Sequence, residues 1–345
     1  MWQVIGQERA VSLLKRSLES GKLSHAYLFV GPQHVGKMTL ALNLAQALNC
    51  YDADKPCLEC ASCQKIAAGS HSDVQVIGLA QNEEEDTEHK LIRNEQIDAI
   101  LHSASLPPFE GKNKVFIIDG AELLSSGAAN RLLKTLEEPE AKVTFILLAV
   151  NENKLLKTVV SRCQRIELQP MSVAEETQTL VEKLKLKMER ARLLAGLSRG
   201  CPGWAITAAG DEKLMEQRNE ELNQITSIIK GDYEERFTYV ARLAAGFNQN
   251  RRAVYDTLDR WVEYWRDMML VKIGCEDMIT NIDRKDELTK MAGNHSLSRI
   301  RDFIKSLESA AAQLKQNVNA RLALEVLMLD LPREEVKSSP IYRGA

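Results

Sequence analysis

Eight residues constrain this chain more than any others. Gly31-Pro-Gln-His-Val-Gly36-Lys37-Met38 follows a short apolar run, 27–30, and opens a stretch, 38–48, whose apolar residues recur at helical spacing. A G-x₄-G-K loop between a strand and a helix is the P-loop pattern. Glycines let consecutive N–H groups turn inward around phosphate, the helix N-terminus adds its dipole, and lysine adds a charge. The alternative is a chance glycine-rich turn; the flanking strand and helix argue against it.

Further apolar runs at 74–77, 115–118 and 144–150 alternate with helical patterns through roughly the first 165 residues. Such alternation predicts a parallel α/β sheet with ligands at its carboxyl edge. After Pro170 the pattern is almost wholly helical, with Leu322, Val326 and Leu329 on one helical face. The acidic run Glu83-Glu84-Glu85-Asp86, within 80–90, reads as a solvated loop, and the residues after Pro332 as a mobile tail.

The phosphate loop has a defect at its eighth position. A Ser or Thr hydroxyl there ligates Mg²⁺, but this chain has Met38, a poor ligand for a hard cation, and Thr39 comes one residue late. The run Val115-Phe-Ile-Ile-Asp119-Gly120-Ala-Glu122 has a second departure. Asp119 fits the Walker B carboxylate that supports the metal. The next residue, which in hydrolysing proteins is a water-orienting glutamate, is Gly120, and Glu122 lies two residues further on and need not reach. Gly31, Gly36, Lys37, Thr39 and Asp119 therefore form a degenerate nucleotide site, in which binding without turnover stays open.

Cys50, Cys57, Cys60 and Cys63 read C-x₆-C-x₂-C-x₂-C. Four thiolates on short spacers suit a closed, structural Zn²⁺ site. A disulfide pair is the bland alternative. An iron–sulfur cluster is a sharper one, but the x₃-C-P continuation is missing and Asp73 and its neighbours stand in its place. Cys163, Cys201 and Cys275 are scattered and read as ordinary core cysteines.

A net charge of −3 and a pI of about 6.2 exclude a chain that is basic throughout and binds nucleic acid by charge alone. No run approaches the roughly 18–20 apolar residues of a membrane span, and the opening residues lack the basic-then-apolar pattern of a secretory signal. A cytoplasmic protein with no membrane partner is the expectation.

Several segments together resemble one family. Trp2-Gln-Val-Ile-Gly-Gln-Glu8, His25-Ala-Tyr-Leu-Phe-Val-Gly31, the cysteine module, Asn130-Arg-Leu-Leu-Lys-Thr-Leu-Glu-Glu-Pro139, Ser161-Arg162-Cys163 and Asn317-Val-Asn-Ala-Arg-Leu-Ala-Leu-Glu325 occur in the order found in the clamp-loader subunits of bacterial DNA polymerase III. The resemblance implies an AAA+ RecA-like domain at 1–168 carrying a zinc module (50–63), a helical lid at 169–210, a helical collar at 211–332 and a tail at 333–345. It implies a pentameric ring with delta and three gamma/tau motor subunits, which uses ATP to place a sliding clamp on primed DNA at the replisome and nucleoid.

Within that family, Met38, Gly120 and the absence of tau's long C-terminal extension place the chain with the non-hydrolysing branch rather than the motors. Arg162 would then act in trans as an arginine finger on a neighbour's ATP; read alone, it is a surface arginine in a loop. Asn151 resembles the sensor-1 position, and Trp204 stands near where the motors carry a sensor-2 arginine. Lys134, Glu137 and Glu138 would help shape a subunit interface or form a solvated helix face. Trp261 and Trp265, one turn apart, read as core rather than as a recognition patch. The rival readings are an ATP-hydrolysing motor subunit, a stand-alone DNA-binding AAA+ regulator and a purely structural zinc protein.

Overall fold

Three strands of this protein are apolar over nearly their whole length, which suits only a sheet covered on both faces. In the computed structural model, which describes residues 1–79, 91–247, 250–316 and 318–333, these strands are β1 (Ala26–Val30), β3 (Lys114–Asp119) and β4 (Val143–Ala149). With β2 (Val74–Ile77) and β5 (Gln164–Glu167) they form a parallel five-stranded sheet in the order β2-β3-β4-β1-β5. The acidic 83–86 run, Asn317 and the tail beyond 333 lie outside the described residues.

The period-two alternation of strand side chains divides them between two cores. On one face Leu28, Phe116, Ile118, Phe145 and Leu147 pack with residues of α4 (Asn94–Ala104) and α5 (Ser126–Glu137). On the other, Tyr27, Phe29, Val115, Ile117 and Ile146 pack with α1 (Glu8–Glu19), α2 (Lys37–Asn49) and α3 (Ala61–Ala67). The short α6 (Lys157–Val160) leads into β5. This edge strand, Gln-Arg-Ile-Glu, buries only Ile166 and has no apolar run to announce it.

The remaining helices are α7 (Val173–Leu184), α8 (Met188–Ser198), α9 (Pro202–Gly210), α10 (Glu212–Lys230), α11 (Tyr233–Phe247), α12 (Arg251–Lys272), α13 (Lys285–Gly293), α14 (Leu297–Lys315) and α15 (Ala320–Asp330). The chain divides into two compact units. One comprises Met1–Lys185 and Ser198–Ile206, the other Leu186–Leu197 and Thr207–Ala345. No described helix is long and apolar enough to cross a membrane.

In the second unit Trp261 and Trp265 are fully buried in the helical core, and Trp261 Nε1 donates to Tyr239 Oη at 3.0 Å. Leu322, Val326 and Leu329 face outward, each at least half exposed, while Ala323, Leu324, Leu327 and Met328 of the same helix supply the core. Arg236 is also buried, and its guanidinium donates to the carbonyls of Ile228, Ile229 and Leu331 at 3.0–3.3 Å. It ties the end of α10 to the residue that ends α15. Without it, the Ile229 and Leu331 carbonyls lose this donor, while Ile228 O keeps the Gly231 N–H, at a cost of roughly 1–3 kcal/mol per group left short. Arg236→Met is expected to destabilise this unit by roughly 2–4 kcal/mol, seen as a lower denaturant midpoint at unchanged slope. A midpoint equal to wild type would mean that water replaces the guanidinium.

Candidate functional site

The carboxyl edge of the sheet is where β1 hands over to the glycine loop, and hydrogen bonds hold that edge in register. Gly31 N–H donates to Ala149 O and Gly120 N–H to Leu148 O, so the ends of β1 and β3 are both pinned to β4, which lies between them. The result is a cleft of about 790 Å³ whose lining includes Gly36, Lys37, Thr39, Asp119 and Glu122. A second cleft, of about 820 Å³, has Glu8, Glu167, Glu175 and Glu182 in its wall and contains none of the phosphate-loop residues.

Two glycines of the loop are held in place by conformation or by space. Gly36 lies at φ 105° and caps α2, a conformation that a side chain would strain. Gly31 is excluded from substitution by space instead, since a Cβ there would sit 2.5 Å from Leu168 O. The first N–H groups of α2 point out of the helix toward the loop. Gly203, which also lines the cleft, donates its N–H to His34 O at 2.9 Å.

Lys37 is buried, and its Nζ donates to Gly31 O and Pro32 O at 2.6 Å each. Burial lowers its affinity for a proton, and the carboxylates of Glu122 and Asp119 oppose that shift. Met38 lines the cleft and packs against the apolar core beside β1. Met38, the loop's eighth residue, thus serves packing, and Thr39 joins the cleft wall one position later.

Gly120 is in the left-handed region at φ 77°, directly after the exposed end of β3. A Cβ there would meet Leu123 Cδ1 at 3.1 Å. This turn starts a single 3₁₀ turn, Ala121–Leu123, and swings Glu122 back to the sheet. Its Oε1 accepts Val150 N–H at 3.1 Å, and its Oε2 is shielded from water with no hydrogen-bond partner among the described residues. Sequence spacing left the reach of Glu122 open; after the left-handed Gly120 it lines the cleft.

Asn151 and Trp204 do not line this cleft. Asn151 is exposed and accepts the N–H of Asn153, and Trp204 is half-buried. Arg162 follows α6 on the surface, with its side chain 33% exposed. It pairs with Glu137 at the end of α5, in the Leu-Glu-Glu-Pro segment.

The four clustered cysteines come together from separate local structures. Cys50 ends α2, Cys57 lies in the loop after it, Cys60 caps α3 and Cys63 sits in the first turn of α3. All four sulfurs lie within 4.8 Å of one another, with Cys50–Cys57 at 3.5 Å and Cys57–Cys63 at 3.9 Å. Tetrahedral thiolate coordination at about 2.3 Å requires sulfurs about 3.8 Å apart, so this donor set fits one metal ion. None of the seven cysteines is in a disulfide.

Burial resists ionisation of Cys60. Hydrogen bonds from the Cys63 and Tyr51 backbone and from the Cys63 and Cys57 thiols outweigh it and bring its pKa to about 6. Cys63 is pushed upward, chiefly by burial. Around this cluster, Cys60 N–H points at Cys57 Sγ (3.3 Å), while Lys112 Nζ donates to Cys50 O and lies over the Tyr51 ring. Asp73 belongs to a different device. Its carboxylate accepts the N–H groups of Phe109, Glu110 and Gly111 at 2.7–2.8 Å and ties down the loop before β3. Cys201 is buried, whereas Cys163 and Cys275 are half-buried; burial lifts the Cys163 thiol to about 12.

Comparison with known proteins gives the chain its relatives. A family model described as DNA polymerase III, delta subunit, matches residues 6–172, and one described as DNA polymerase III, delta subunit, C terminal, matches 212–333. DNA polymerase III subunit delta' of Bacillus subtilis (strain 168) is 28% identical over 329 residues, covering 94% of this chain and 96% of the relative. Subunit tau of the same organism is 29% identical over 359 residues, covering 95% of this chain, which spans 60% of tau's own length. A solved DNA polymerase III gamma subunit-related protein from Thermotoga maritima has a TM-score of 0.44 at 18% identity, covering 93% of this chain and 98% of that one. With one family model lying within each compact unit and a delta-prime relative matching end to end, the chain belongs to the DNA polymerase III clamp-loader family, in its delta-prime branch.

Proposed function

We propose that this chain is the stator of a clamp loader: it does not turn over ATP and serves a neighbouring motor subunit's ATP through Arg162. The observation that carries this reading is the coincidence of Met38 and Gly120 in one cleft. The metal-ligating hydroxyl is replaced by a thioether that packs into the core. The water-orienting carboxylate is replaced by a left-handed glycine, at which any side chain would be strained. Lys37, bonded to the loop's own carbonyls, would have to release them before gripping a phosphate. Asp119 remains, so occupancy of the cleft by nucleotide is a separate matter from turnover.

In this reading the chain assembles with delta and with gamma/tau motors, and the complex opens the sliding clamp and sets it on primed DNA during replication, in the cytoplasm at the nucleoid. The three-part division into a RecA-like domain (1–168), lid (169–210) and collar (211–332) belongs to the same proposal. The outward apolar stripe of Leu322, Val326 and Leu329 supports assembly through the collar, because three such side chains in one row are characteristic of a surface that another helix covers. The four cysteines hold a structural Zn²⁺ that fixes the excursion between α2 and α3.

The motor alternative draws on the match to tau and on the presence of Glu122 in the cleft. The isolated chain separates the two readings. No ATP turnover above background is expected from it. Turnover that co-purifies with the chain and disappears in Lys37→Ala would establish the motor reading instead.

A further inference from the structure

The guanidinium of Arg162 is already occupied in the chain by itself. Nη2 meets Glu137 Oε1 at 2.5 Å, and Nη1 donates to Thr158 O at 2.9 Å. The second bond is local, four residues back, and moves with α6. The first crosses 25 residues to the last position of α5. An arginine grips phosphate with two parallel N–H groups of its fork, and here both terminal nitrogens are engaged.

We infer that Glu137 is a parking counter-ion for Arg162, a positioning residue that holds the fork on its own surface until the terminal phosphate of a nucleoside triphosphate on an adjacent subunit displaces it. This inference rests on the reading of Arg162 as a finger. A carboxylate oxygen and a phosphate oxygen are interchangeable acceptors for a guanidinium, so the exchange replaces one charge-assisted bond with another. Release is easy because the pair lies at the surface, with side chains 33% and 50% exposed, and exposed ion pairs are weak. The parked arginine is also shielded from stray anions by its own counter-ion.

A parked ground state predicts a specific kinetic signature. With hydrolysis as the first irreversible step, the release of Arg162 is included in kcat/KM for the neighbour's ATP. In a loader reconstituted from the full chain and its partner subunits, Glu137→Gln is expected to raise kcat/KM about two- to fivefold, the range set by an exposed ion pair. The gain should shrink as added salt screens the wild-type pair, and should vanish in the Arg162→Ala background. A fall in kcat/KM with Glu137→Gln would overturn the inference, since Glu137 would then hold Arg162 in its working pose. An equal rise in the Arg162→Ala background would also overturn it, because Glu137 would then act on the neighbour's phosphates through its field alone. If Arg162→Ala itself leaves turnover unchanged, the finger reading fails first.

Discussion

Protein purified without chelator is expected to carry one Zn²⁺ per chain, and Cys60→Ser to lose it along with the order of the 50–67 segment. Four sulfurs within 4.8 Å are a poor arrangement without a cation, because neighbouring thiolates repel and neighbouring thiols have few good acceptors. The free energy of binding a structural zinc reaches about 10–16 kcal/mol in zinc-finger peptides, comparable with the whole stability of an ordinary domain. Here the cluster closes the excursion between α2 and α3, and α3 packs against the same core as the phosphate-loop helix through Ile66. Loss of about 4 kcal/mol would lower the melting temperature of a unit of this size by about 8–16 °C. Elemental analysis and calorimetry on wild type and Cys60→Ser check this. Iron in place of zinc, or a metal-free wild type that melts where the holo protein does, would refute the site.

The second large effect is expected in trans. Arg162→Ala should lower turnover at the one motor site it serves by on the order of 10³–10⁵, the range measured for arginine fingers in other nucleotide hydrolases. Sites fed by other subunits should continue, so total turnover falls to a floor rather than to zero. Arg162→Lys should recover little, because an ammonium is a point charge and cannot present the planar fork. Single-turnover measurements on the assembled loader resolve the affected site from the others. Full activity in the lysine variant would show that charge alone suffices and that the fork geometry has no role.

Much of this architecture could be read from the residues, and the exceptions have physical causes. The strands β1, β3 and β4 were legible within a residue or two because burial on both faces demands unbroken apolar runs. Strand β5 was not, since an edge strand needs only Ile166 inward. The cysteine cluster was legible from spacing because metal-ligand spacing reflects local geometry. The reach of Glu122 could not be read from spacing: two residues of separation mean one thing along an extended strand and another after a left-handed glycine. The pairing of Arg162 with Glu137 has no sequence signature, because it is made between two elements 25 residues apart. Leu322, Val326 and Leu329 show the limit of periodicity. A pattern places them on one helical face, but only packing decides whether that face points to the core or, as here, to solvent.

The claim that this chain works on a neighbour's nucleotide and not on its own is tested most directly by DNA- and clamp-stimulated ATP turnover in the reconstituted loader, comparing wild type, Arg162→Ala and Lys37→Ala. The predicted result is that Arg162→Ala lowers turnover and Lys37→Ala leaves it near wild type. If Lys37→Ala is the damaging change and Arg162→Ala is silent, the chain hydrolyses ATP in its own cleft and the stator account is wrong.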